Sequence, residues 1–199
     1  MFTGIIQGIA SISAISQGES VTKVSIDLPE TENLQIGASV SIDGVCLTAT
    51  SINGTIVDFD IIAETLERTT LCDLEIASEV NFERAIRFGD ELGGHLLSGH
   101  VMSAGLIHSI IEKGEGTDIS IIAPPSLQKY IIEKGFIAID GISLTVGEVQ
   151  SNVFALHLIP ETLRMTTLGS KQEGDAVNIE IDSNTQTIVS TVERMLAEK

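Results

Sequence analysis

Basic residues are scarce in this chain: 11 Lys and Arg stand against 28 Asp and Glu, for a net charge of −17. No local cluster of Lys and Arg offsets the acidity, and such a surface repels a phosphate backbone, which argues against nucleic acid as a partner. Solubility is a sufficient reason for the charge. Long apolar runs are missing as well. Although 43% of the residues are hydrophobic, Gly, Ser, Thr or a charge interrupts every run well short of the roughly 18 residues a membrane span needs. The chain is therefore expected to be soluble, with no membrane partner. The opening MFTGIIQGIASISAISQGES has no basic residue before Lys23. It lacks the positive start of a secretory signal and the Arg-rich character of a transit peptide, so it is read as folded structure in a cytoplasmic protein. The two cysteines, Cys46 and Cys72, are then expected as free thiols.

Familiar cofactor motifs are absent too. There is no CxxC, and the spacing of His95 and His100 suits neither one helix face nor a zinc site, so no metal is expected. Neither GxGxxG after a strand nor GxxxxGK[ST] occurs, so neither a dinucleotide fold nor a P-loop is signalled.

What the chain has is a duplicated phrase. IDGVCLTAT at 42–50 returns as IDGISLTVG at 139–147, and the same offset pairs ETLERTTL at 64–71 with ETLRMTTL at 161–168 and VNFE at 80–83 with VNIE at 177–180. No gap is needed from Ser39 to Glu83. Upstream the offset is two residues shorter, which pairs Thr3-Gly4 with Ser98-Gly99 and Pro29 with Pro124. Two copies of about 95 residues are too few and too long for a solenoid, whose units run roughly 20–50 residues. The expectation is a tandem pair of domains, 1–95 and 96–182, with the boundary near GGHLLSG and no Pro- or Ser-rich linker.

Within each copy, short runs such as VTKVSIDL, SVSIDGVCLTAT and TIVDFDII alternate at period two and are rich in Val, Ile and Thr, the pattern of strands. Ile52-Asn53-Gly54-Thr55 has the composition of a hairpin turn with positive φ at both central residues. Short helices fit the ETL segments, and Pro124-Pro125-Ser126 is placed to start another over LQKYIIEK. Many short strands with little helix predict an all-β fold of two small closed barrels, which also removes exposed strand edges. The end of the chain differs. With Asp182 or Ser183 as N-cap, Ile188, Val189, Val192, Met195 and Leu196 form one apolar stripe on a helix over 183–199. The first copy has no counterpart, which tilts the reading toward assembly with other copies.

Gly44 and Gly141 stand within strand-like runs, where glycine marks a β-bulge or a close ligand. Beyond each comes a small polar pair, Cys46 and Thr48 in one copy and Ser143 and Thr145 in the other, on one strand face. Such a pair, repeated, suits a flat polar heterocycle hydrogen-bonded along its edge. Glu64-Thr65 and Glu161-Thr162 are either helix caps or groups that grip a polyol, since a carboxylate accepts from hydroxyls and Thr both donates and accepts. The copies differ where chemistry demands it: Cys46 matches Ser143, and His100 matches Ile5. Thiolate and imidazole act near neutral pH as nucleophile and as acid or base.

MFTGIIQG, DGVCLT, DGISLTVGEV, GGHLLSGHV, LIPETLRMTTLG and the VNFE/VNIEID pair together resemble the riboflavin synthases of the bacterial two-barrel type, over nearly the whole length and in order. The resemblance implies two six-stranded barrels, a homotrimer held by C-terminal helices, and dismutation of two 6,7-dimethyl-8-ribityllumazine molecules without metal or redox cofactor. By motif, Cys46, Leu47, Thr48 and Asp60, Ile61, Ile62, Ala63, Glu64, Thr65 would line a first pocket, joined by Gly99, His100, Val101 and Lys134. Ser143, Leu144, Thr145 and Ile159, Pro160, Glu161, Thr162, Leu163 would line a second, joined by Gly4, Ile5 and Ile6. Phe2, Ser39 and Asp182 match positions that the family associates with catalysis or its support. The resemblance further implies an active site where the first barrel of one subunit meets the second of its neighbour. A rival reading is a non-catalytic fluorescent antenna like the lumazine proteins, but both pocket motifs stand here. A flavin reductase would need a nicotinamide domain for which no room remains.

Overall fold

The structure is a computed structural model and describes residues 1–198. The first copy supplies β1 (Gly8–Gln17), β2 (Val21–Asp27), β3 (Ser39–Ile42), β4 (Val45–Asn53), β5 (Ile56–Ile62), α1 (Ala63–Arg68) and β6 (Glu79–Arg84). The second repeats the order with β7 (Ser103–Lys113), β8 (Gly116–Ile122), β9 (Phe136–Ile139), β10 (Ile142–Gln150), β11 (Val153–Leu158), α2 (Pro160–Met165) and β12 (Ala176–Ile181), followed by α3 (Ser183–Ala197). Each set of six strands closes into an antiparallel barrel, β1-β2-β5-β4-β3-β6 and, in the same order, β7-β8-β11-β10-β9-β12. No helix among the described residues is long and apolar enough to cross a membrane.

Period-two alternation fills each barrel. Along β5, Val57, Phe59 and Ile61 point inward and are fully buried, while Asp58 and Asp60 alternate away from the core. The equivalent inward set on β11 is Phe154, Leu156 and Leu158. The large ring sits one inward position earlier in the second barrel, so the two close-packed cores are filled by different packing. Closure of so few strands needs bends, and irregularities at Ile12/Ala14 and Ala49/Ser51 recur at Ile107/Ser109 and Val146/Val149.

Three sequence expectations change. Gly44 and Gly141 mark turns and not bulges: Ile42 pairs with Val45, so Asp43 (φ 44) and Gly44 (φ 82) are the two central residues of a tight hairpin, as are Asp140 (φ 45) and Gly141 (φ 81). Asp-Gly between alternating apolar residues is the favoured composition for this turn. The two hairpin tips meet, and a Cβ on Gly44 would lie 2.7 Å from the Gly141 backbone nitrogen. The β4–β5 turn lies one residue later than expected. Asn53 pairs with Ile56, and Gly54 alone has positive φ, with Ser151 in its place in the second copy. The segment after Pro124-Pro125 forms only a 3-10 turn, Gln128–Tyr130. Leu127 and Ile131 must plug the second barrel, and Lys134 then takes a left-handed conformation (φ 64) to feed β9.

Around the hairpin tips lies a buried polar network with approximate two-fold symmetry. Asn81 Nδ2 donates to Asp140 O at 3.0 Å and its Oδ1 accepts from Thr167 N at 2.8 Å; Asn178 Nδ2 donates to Asp43 O at 2.8 Å and its Oδ1 accepts from Thr70 N at 2.8 Å. The backbone N–H groups of Asn81 and Asn178 donate to Asp43 Oδ1 and Asp140 Oδ1, each at 2.7 Å. These bonds dock one barrel on the other and thereby set where the surface sites stand.

Candidate functional site

Cys46 and Thr48 project from the outer face of β4, because the inward positions of that strand belong to Val45, Leu47 and Ala49. Any site built on Cys46 therefore lies outside the barrel. It is completed by the other half of the chain. Gly99 O accepts from Cys46 N at 2.9 Å, and in the second barrel Gly4 O accepts from Ser143 N at the same distance. The segment leading into each barrel thus crosses over to flank the key strand of its neighbour. Val101 packs on the first core and Ile6 on the second.

The crossover is pinned by carboxylates. Glu83 accepts from Thr3 N, Thr3 Oγ1 and Gly4 N at 2.6, 2.7 and 3.0 Å; Glu180 accepts from Ser98 N, Ser98 Oγ and Gly99 N at 2.7, 2.7 and 3.1 Å. Burial pushes the Glu83 carboxyl above its usual range, against the pull of these donors. Gly4 (φ 75) and Gly99 (φ 80) have to be glycine. A Cβ on either would sit 2.5 Å from the Cβ of Ser143 or Cys46.

Two hollows result. The first is lined by Val45, Cys46, Glu64, Thr65, Arg68, Thr69, Gly99, His100 and Val101, with a volume of about 180 Å³. The second is lined by Gly4, Ile5, Ile6, Ile142, Ser143, Glu161, Thr162, Met165 and Thr166, with about 320 Å³. Ligand sites typically span about 300–1,000 Å³, so the first is small for a bicyclic molecule carrying a polyol, and both are surface hollows. Arg68, Thr69, Met165 and Thr166 were not singled out in the sequence, although the repeated ETL motifs contain them.

The remaining candidates fall into distinct places. Leu47 and Ile61 turn into the first core, while Asp60, Ile62, Ala63 and Thr48 are exposed beside the first hollow. In the second copy Leu144 and Leu163 pack on the core, whereas Thr145, Ile159 and Pro160 are exposed. Glu64 and Glu161 are not helix caps: they pair with Arg68 and Arg164 on their own helices at 3.2 and 2.6 Å. Phe2 is 1% exposed and packs with Leu97 and Ala138 behind Cys46. Ser39 pairs with Thr48 across β3 and β4 and lines a neighbouring cleft with Arg84 and Arg87. Lys134 lies on the second barrel, before β9, and is not among the residues lining the first hollow of its own chain.

Asp182 caps α3, accepting from Thr185 N at 2.9 Å and Thr185 Oγ1 at 2.8 Å. Partial burial raises its pKa, but these bonds outweigh it and hold the carboxyl below the ordinary value. It faces His95, a residue that sequence reasoning weighed only as a metal ligand. His95 Nδ1 lies 2.7 Å from Ser143 Oγ, and its ring stacks on Phe136 at 4.9 Å. Among the described residues no group of three or more His, Cys, Asp or Glu is arranged to hold a metal ion.

Comparison with known proteins agrees with the duplicated barrels. The lumazine binding domain family matches residues 3–85 and 98–182. The riboflavin synthase of Escherichia coli strain K12 is 50% identical over 200 residues, covering 99% of this chain and 94% of that protein. The riboflavin synthase of Chlamydia pneumoniae is 48% identical, covering 99% and 98%. Among solved structures, LumP complexed with riboflavin superposes with a TM-score of 0.84 at 30% identity, over 92% of this chain and all of that one. LumP complexed with 6,7-dimethyl-8-(1'-D-ribityl) lumazine gives 0.83 at 27% over the same share. With its two barrels both matched by the lumazine binding domain and half its residues shared with a riboflavin synthase over almost its full length, the chain belongs to the riboflavin synthase family.

Proposed function

We propose that this chain is an enzyme that converts two molecules of 6,7-dimethyl-8-ribityllumazine to riboflavin and 5-amino-6-(ribitylamino)pyrimidinedione, one molecule giving a four-carbon unit to the other. The observation that carries the reading is a pair of hollows alike in backbone and unlike in reactive groups: Cys46 with His100 in one, Ser143 with Ile5 in the other. Two copies of one substrate call for two similar sites, and their unequal fates call for unequal side chains. An antenna protein needs one ligand site, whereas both hollows here keep their Glu-Thr pair beside Cys46 or Ser143.

The units 1–95, 96–182 and 183–199 form the working division, with Lys199 outside the described residues. Ile188, Val192, Met195 and Leu196 are 65%, 50%, 60% and 64% exposed on α3, an apolar stripe with no cover from its own chain. In the proposed homotrimer these stripes pack together and bring the first hollow of one subunit against the second of its neighbour, which also lets Lys134 of one copy reach the first hollow of another. The acidic surface and the free thiols Cys46 and Cys72 suit a cytoplasmic setting.

Chemically, the 7-methyl group of the lumazine is acidic because its anion spreads into the electron-poor ring. The protein then mainly orients. Holding two rings face to face replaces a bimolecular encounter, an effect worth up to about 7–11 kcal/mol in well-aligned systems. His100 moves protons, Cys46 or Ser143 assists addition at the acceptor ring, and Thr side chains and backbone groups fix the ring edges. Incubating the protein with ribityllumazine and following riboflavin absorbance tests the reading: one riboflavin per two lumazines consumed is expected, and stable binding without conversion overturns it in favour of an antenna. A Val192→Glu variant is expected to scatter light as a single chain and to lose turnover while each barrel stays folded.

A further inference from the structure

The two hollows carry different reactive groups and are equipped differently. A thiol is intrinsically a far stronger nucleophile than a hydroxyl, and a serine needs an adjacent base to react. In the described residues, histidine rings hydrogen-bond to Ser143 through His95 and to Asp118 through His157, and none bonds to Cys46. The hydroxyl thus has a base already hydrogen-bonded to it, and the thiol has none so bonded.

We propose that His95 is the proton acceptor for Ser143, a positioning residue that reaches the substrate only through the Ser143 hydroxyl. The inference rests on the lumazine reading above. As Ser143 Oγ adds to the electron-deficient ring carbon of the lumazine in the second hollow, the C–O bond forms and the O–H bond breaks. The proton passes to His95 Nδ1, and the displaced π pair moves into the ring. Expulsion of Oγ reverses each change and returns the proton.

The surroundings of the imidazole suit this role. It is 6% exposed, stacked on Phe136 from β9 within 15° of parallel, and its Nδ1 is 2.7 Å from Ser143 Oγ on β10. Its Nε2 is buried without a hydrogen-bond partner among the described residues. The charged group acting on it is Asp182, from the cap of α3. Glu161 at the rim of the hollow is paired with Arg164, and Glu83 is committed to Thr3 and Gly4. Burial pushes the imidazole below the ordinary histidine value and Asp182 acts in the opposite direction. The ring is therefore neutral at pH 7 and able to accept a proton, and the carboxylate steadies the imidazolium once it forms.

The test is the pH profile of kcat for the wild-type protein, Ser143→Ala, His95→Asn and the double variant, with ribityllumazine binding followed by fluorescence titration. Wild-type kcat is expected to fall as pH drops through the lowered His95 value, because the protonated ring accepts nothing. Ser143→Ala and His95→Asn each lower kcat by about 10²-fold, lose that acid limb and keep ligand affinity. The double variant loses no more than either alone. Asn offers an acceptor near the Nδ1 position yet takes no proton. Should it disturb the buried stack, Ser143→Ala, a small change at a half-exposed site, still decides the matter. Wild-type kcat or a retained acid limb in Ser143→Ala, or losses that multiply in the double variant, overturn the inference. A wild-type protein that binds lumazine without converting it overturns the functional reading instead.

Discussion

His100→Ala is expected to lower kcat by about 10²- to 10⁴-fold, the range that a positioned acid or base contributes, with lumazine affinity changed far less. The side chain is exposed at the first hollow, and its place is set by the backbone: His100 N donates to Ser98 Oγ, which with Gly99 N is held by Glu180. Removing the ring takes nothing from the core, so the variant folds with stability within about 0.5 kcal/mol of the parent. A kinetic loss then reports chemistry alone. Cys46→Ala behaves similarly, as Cys46 lines the same hollow and its backbone bond to Gly99 survives the change. Steady-state kinetics beside equilibrium titration separates the two effects, since an interaction used only in the transition state lowers kcat and kcat/KM together. If both variants turn over like the parent, the roles given to the first hollow are wrong.

Much of this was legible in the sequence because duplication doubles every signal. A lone Thr-Gly or Glu-Thr pair means little, but pairs repeating at one offset pointed to equivalent backbone, and the structure gives the barrels the same strand order. The capping residue and apolar stripe of α3 were local patterns, and Asp182 does cap the helix. What the sequence hid was of two kinds. Asp43-Gly44 looked like an interrupted strand because the apolar alternation continues smoothly through a two-residue hairpin, and the Asp-Gly pair was the one local sign of the turn. The crossing of Gly4–Ile6 and Gly99–Val101 onto opposite barrels, and the meeting of His95 with Ser143, are contacts between residues 48 or more positions apart that no local period encodes. His95 also lay outside the repeat pattern, so duplication gave it no second vote.

Asn178→Ala is expected to destabilise the protein by about 2–4 kcal/mol, because a half-buried donor and a buried acceptor, Thr70 N–H and Asp43 C=O, lose their partner at once. The site has no water-facing alternative, as Asn178 is 1% exposed. Denaturant unfolding at constant m-value measures the loss, and a change under 0.5 kcal/mol sinks the claim that this network docks the barrels. The same network carries a pH signature. Asp43 is pushed well above the usual carboxylate range by burial and by facing Asp140, with the Asn81 N–H and Lys171 pulling it down; Asp140 is raised by burial against the opposing Lys171. Carboxyls raised in the folded state bind more protons there than in the unfolded chain, so their contribution is complete below the unfolded value and is lost as pH rises through the folded one. Asp43→Asn keeps an acceptor for Asn81 N and tolerates the left-handed turn, but has no charge to desolvate. Its stability relative to the parent is therefore expected to improve as pH rises from the carboxylate range toward neutrality. The opposite trend would mean that Lys171, 3.5 Å from Asp140, holds both carboxylates charged. Since this network joins the barrels between which Gly4 and Gly99 reach across to Ser143 and Cys46, Asn178→Ala at neutral pH is expected to loosen both hollows before the barrels themselves unfold, read as lumazine affinity lost at denaturant concentrations below the unfolding midpoint.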